Sequence, residues 1–172
     1  MTEREPRQVI VDFFSVPREG DVRVDTATVH TLKERTIPGY GLYMVAFRDE
    51  AGQQYHGHCF LDQDATGAWR VKGASWNEGI VGIRTPTRDQ PWVSVFGGGD
   101  DRTFYAGGNV VDHNRGVMRV RLISPNGVAL EDTVENGLVL FLTDQYVEVP
   151  LKVEMYNPSG EIISTHSALP TS

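Results

Sequence analysis

Residues 43–71 read YMVAFRDEAGQQYHGHCFLDQDATGAWRV, and the two turns inside this stretch decide the fold. Each of them, Asp49–Gly52 and Asp64–Gly67, opens on Asp and closes on Gly, the residue that takes positive φ without steric cost. A type I turn followed by a left-handed residue joins antiparallel strands and pairs the residue that opens it with the residue after the Gly. Asp49 then pairs Gln53, which sets Phe47 opposite Tyr55, Val45 opposite Gly57 and Tyr43 opposite Cys59. Asp64 pairs Ala68, which sets Asp62 opposite Arg70, Phe60 opposite Lys72, His58 opposite Ala74 and His56 opposite Trp76. The two registers agree on a core face of a three-stranded meander, formed by Tyr43, Val45, Phe47, Tyr55, Cys59, Leu61, Trp69 and Val71. Met44, Ala46, His56, His58, Phe60, Ala74 and Trp76 take the other face, which is too apolar to stand in water and requires a cover.

The same turn chemistry recurs outward along the chain, at Val120–Gly127 (VRLISPNG) and Val153–Gly160 (VEMYNPSG). The first of these sets Arg121 opposite Glu131 and Leu122 opposite Leu130. Val149, Leu151, Val153 and Met155 alternate with polar neighbours, as do Met118, Val120 and Leu122, so each strand buries one face. Leu138–Leu142 and Leu42–Phe47 are apolar on both faces, which predicts central strands or a contact surface. Arg7–Phe14 places Val9, Ile10, Phe13 and Phe14 on one side of a helix, but the segment is short and β-branched and is read as a strand. The fold class is therefore all-β, an antiparallel β-sandwich. Between Asn77 and Asp101 the alternation weakens, apart from a short strand over Trp92–Phe96, and this seam divides the chain. It predicts an N-terminal meander over 1–101 and a C-terminal sandwich of about six strands over 102–172, unless both belong to one continuous domain.

Composition narrows the function. The 172 residues are 40% apolar, enough for a packed core, and the net charge of −7 provides no basic field for nucleic acid. No apolar run reaches the roughly 20 residues a membrane helix needs, and the opening MTEREPRQVIVDFF is charged where a secretory signal would be apolar. The single Cys59 permits neither an intramolecular disulfide nor a cysteine metal cluster, which fits a reducing, cytoplasmic setting.

Few residues propose chemistry. His56 and His58, two apart on a strand, project from one face and could share a metal ion, and with Asp62 they resemble the first metal motif of cupins. Asp62, however, lies four extended residues beyond His58, about 13 Å at roughly 3.3 Å per residue, and Cys59 points the other way. No metal or other cofactor is expected. Asp62–Gly67 carries the oxygen spacing of a calcium loop, but Gly73 stands where the closing Glu belongs. Phe96–Asp101 (FGGGDD) lacks the Lys-Ser/Thr ending of a phosphate loop and reads as a flexible loop or bend. His30, His113 and His166 receive no role. Trp76 and Trp92 are the aromatics placed to reach a surface, where an indole stacks on a sugar or anchors a protein; the competing reading has them fill the gap between the two halves.

Residues 117–166, with the late hairpin VEMYNPSGEII, resemble bacterial immunoglobulin-like and fibronectin-III-like sandwich domains in strand spacing. That resemblance implies a binding or spacer role. The expected function is a non-enzymatic module that binds a protein partner or assembles as a homo-oligomer, with Trp76, His56, His58 and Trp92 as candidate binding residues. One alternative is a carbohydrate or small-ligand binder using Trp76 or Trp92, and another is a cupin-like metal enzyme centred on His56 and His58.

Overall fold

A computed structural model describes residues 5–17, 20, 22–79, 89–112 and 114–170. The fold is all-β, with three antiparallel sheets, and the chain divides into compact units over residues 1–80 and 81–172. The division falls inside the expected seam but at its start. The strand at Trp92, assigned above to the N-terminal part, hydrogen-bonds to the strand that follows it and belongs to the second unit.

In the first unit, helix α1 (Pro6–Ser15) precedes a meander of β1 (Val24–Ile37), β2 (Tyr40–Asp49), β3 (Gln54–Gln63) and β4 (Trp69–Glu78), hydrogen-bonded in that order. The strand expected at Arg7–Phe14 is thus a helix. Pro6 needs no hydrogen-bond donor in the first turn, and Ile10 and Phe14, four apart, bury together against Tyr43, Val45, Phe47, Cys59 and Leu61. Burial of that stripe outweighs the modest β preference of Val and Ile.

The register of β2 and β3 is the expected one, with Phe47 opposite Tyr55, Val45 opposite Gly57 and Tyr43 opposite Cys59. The turn glycines Gly52, Gly67, Gly127 and Gly160 have φ of 86°, 83°, 88° and 81°, the left-handed values the turns demand. Between β3 and β4 the register holds at Asp62–Arg70 and Leu61–Val71 and then shifts, because Lys72 bulges out and Phe60 faces Gly73. Every later residue of β4 changes face: Cys59 is opposite Ala74, Gly57 opposite Trp76, His58 opposite Ser75 and His56 opposite Asn77. Ala74 and Trp76 accordingly pack on the core face and not beside the histidines.

The second unit is a β-sandwich. One sheet orders β5 (Trp92–Gly99), β6 (Phe104–Val111) and β9 (Leu138–Thr143); the other orders β11 (Ile162–Ala168), β10 (Leu151–Tyr156), β7 (Arg119–Ile123) and β8 (Ala129–Thr133). Their inner faces meet through Val93, Val95, Phe104, Ala106, Val120, Leu122, Val139, Phe141, Leu151, Val153 and Met155. The expected pairs Arg121–Glu131 and Leu122–Leu130 are present. The Gly97–Gly99 run, read above as a loop, completes β5 and pairs with Phe104–Ala106. All six residues of β9 are buried, yet β9 is an edge strand and not a central one.

Candidate functional site

The edges of the sandwich are closed by side chains, and this closure builds the candidate site. Ser164 and His166, two apart on edge strand β11, lie beside edge strand β5 of the opposite sheet. The buried Ser164 hydroxyl donates to the Pro91 carbonyl at 2.5 Å, and His166 Nε2 donates to the Val93 carbonyl at 3.3 Å. At the other edge the Asp132 carboxylate accepts the Leu140 amide of β9 at 2.7 Å. Backbone groups that would otherwise offer themselves to another strand are engaged within the unit.

Beside the Ser164 and His166 bonds lies a cleft of about 310 Å³, lined by Asp89, Gln90, Pro91, Trp92, Ser164, Thr165 and His166. A serine whose proton is committed to a buried carbonyl makes a poor nucleophile, and an imidazole donating through Nε2 does not present that nitrogen as a base. The cleft still offers the Trp92 indole and the polar groups of Asp89, Gln90 and Thr165. Trp92 is a residue expected from the sequence; Ser164 and His166 are not. Their spacing of two on a strand was the visible signal, but their acceptors lie 73 residues earlier in the chain.

The remaining candidates stand elsewhere. The Trp76 ring packs edge-on to Phe14 and Phe47, with centroids 5.6 and 6.4 Å away. Gly57 makes that seat possible, because a Cβ there would lie 2.1 Å from the Ser75 carbonyl oxygen and 2.7 Å from Trp76 Cα. His56 Nδ1 is 3.0 Å from the Gly79 carbonyl. His58 stands between Met44 and Ser75 in the sheet, and burial pushes its pKa down to about 4, which keeps the ring neutral at neutral pH. Asp62 is held by Arg70 through two bonds of 2.7 and 3.1 Å, and Cys59 sits in the opposite core, where burial pushes its thiol up to about 12. Among the described residues no three His, Cys, Asp or Glu side chains gather where they could hold a metal ion. Nor is any helix among them long and apolar enough to cross a membrane.

A second constellation lies on β7 and β10. Arg119 Cζ sits 4.0 Å from the Tyr156 ring centroid while its guanidinium bonds Glu131 at 2.7 Å. The Tyr156 hydroxyl donates to Glu154 at 2.6 Å, and Lys152 reaches the same carboxylate at 2.7 Å. The bonds from Lys152 and Tyr156 hold the Glu154 pKa below the usual carboxylate value. Compared with known proteins, the chain finds no matching family model, no curated relative and no solved structure of similar fold.

Proposed function

We propose that the chain is a non-enzymatic binding or self-assembly module whose second unit is an immunoglobulin-like, fibronectin-III-like sandwich. Strand order supports the class. The first, second and fifth strands of the unit share one sheet and the third, fourth, sixth and seventh share the other, a Greek-key division of the kind such sandwiches use. The observation that carries the binding role is the end of β7 and β10. Met118 and Ile162, 50% and 52% exposed, adjoin Tyr156 on either side, Met118 by its backbone bond to the Tyr156 carbonyl and Ile162 by strand pairing. Arg119, stacked on the buried Tyr156 ring, adds to this exposed apolar area the Arg that is enriched in protein contacts. The partner is a protein, a second copy included. A reducing, cytoplasmic setting fits the buried free thiol of Cys59.

Light scattering over a range of concentrations tests self-assembly, using the full chain and a Met118→Glu/Ile162→Glu double variant. The expected result is a mass above the monomer that reverts to the monomer in the variant. A wild-type chain that stays monomeric overturns self-assembly, and association that survives both substitutions overturns the surface. The cleft beside Trp92 favours a second reading, a small polar or carbohydrate ligand stacked on the indole. Calorimetric titration with simple sugars, repeated on Trp92→Ala, tests it; no heat with the wild-type chain counts against it.

A further inference from the structure

Two Asn-Gly pairs occur in the chain, Asn126-Gly127 and Asn136-Gly137, and the fold treats them in opposite ways. At the first, the carboxamide is held from both ends: Nδ2 donates to the Tyr146 carbonyl at 2.9 Å, and Oδ1 accepts the Val128 amide at 3.4 Å. The Gly127 amide is engaged as well, donating to the Ser124 carbonyl at 3.0 Å. At the second, Asn136 is exposed, and neither its carboxamide nor the Gly137 amide has a hydrogen-bond partner among the described residues.

Asn136 (φ 53°) and Gly137 (φ 73°) are the central residues of a tight turn in which Glu135 and Leu138 bond each other's backbone at 2.8 and 3.1 Å. Two positive φ values mark a type I′ turn, whose second central amide points away from the bonds that close the turn. We propose that Asn136 is a site of spontaneous deamidation and isoaspartate formation, and that the fold directs the reaction to it and away from Asn126.

The Gly137 nitrogen attacks Asn136 Cγ. An N–Cγ bond forms, the Cγ–Nδ2 bond breaks, and ammonia departs with the proton from the Gly137 amide, leaving a cyclic imide. Water then opens the ring. Attack at the side-chain carbonyl yields aspartate, and attack at the main-chain carbonyl yields isoaspartate, with one extra methylene in the backbone. The reaction needs a carboxamide free to turn and an amide that is free and unshielded; Gly, having no side chain, leaves that amide open. Both conditions hold at Asn136 and both fail at Asn126. The other asparagines precede Glu78, Val110, Arg115 or Pro158, three of which carry side chains that crowd the amide while the fourth has no N–H.

The position gives the reaction a consequence. Val134 still donates to Met118 in the four-stranded sheet, and the Gly137 carbonyl already accepts the Val110 amide in the three-stranded one. Asn136 is therefore where the chain crosses between sheets, and an added backbone methylene there works against the Val110 bond.

The test follows the full chain at mildly alkaline pH by peptide mapping and mass spectrometry, in native buffer and in denaturant. In native buffer Asn136 should convert about tenfold or more faster than Asn126, since the bonds at Asn126 and Gly127 must break first. In denaturant the two pairs should convert at similar rates. Equal or reversed native rates, native protection of both sites, or a preference for Asn136 that persists in denaturant would each overturn the proposal. Hydrogen exchange at the Val110 amide supplies a second readout. Protection should fall in the isoaspartyl product and stay in an Asn136→Asp variant.

Discussion

Trp76→Ala should destabilise the first unit by about 2–4 kcal/mol, a cost that comes from the shifted register of β4. A fully buried Phe or Trp cut to Ala costs about 3–5 kcal/mol. Trp76 is half-buried on an edge strand, which lowers the cost by about 1 kcal/mol from that range, and the edge-on contacts with Phe14 and Phe47 keep it from falling further. Urea unfolding followed by far-ultraviolet circular dichroism measures the change, read as a lower midpoint at an unaltered slope. A double-mutant cycle with Phe14→Ala isolates the ring pair, for which a coupling of about 0.5–1.5 kcal/mol is expected. A loss below about 0.5 kcal/mol, the size of an ordinary surface substitution, would refute the reasoning. It would return Trp76 to the histidine face, where an unbulged register puts it.

His58, neutral in the fold with a pKa near 4 and ordinary near 6.5 when unfolded, binds its proton more readily in the unfolded chain. Stability should therefore be fully present above the unfolded pKa and lost as pH falls, by about 2 kcal/mol between pH 7 and pH 5. Urea midpoints at the two pH values should show this loss in the wild-type chain and not in His58→Gln; the same pH dependence in both chains refutes it. Ser164→Ala should cost about 1–3 kcal/mol, because it strands the Pro91 carbonyl at the sandwich edge. Second-unit stability unchanged within error would mean that water replaces the hydroxyl there.

Along this chain, features set by a few neighbouring residues were legible, and features set by distant ones were not. Asp and Gly at fixed offsets specify a hairpin turn locally, which is why the β2–β3 register and the Arg121–Glu131 pair follow from sequence. Alternation at two likewise reveals the buried face of β7 and β10. The Lys72 bulge has no comparable local signature: β4 must yield where Gly57 leaves room for Trp76 to approach, and that fit exists only once α1 has brought Phe14 to the same place. Helix α1 is illegible for the same reason, since its apolar residues suit either period until a sheet face is present to bury them. The candidate cleft is the extreme case. Ser164 and His166 acquire their partners from residues 73 positions away, and only the folding of β11 against β5 decides that these polar side chains hold a sandwich edge together.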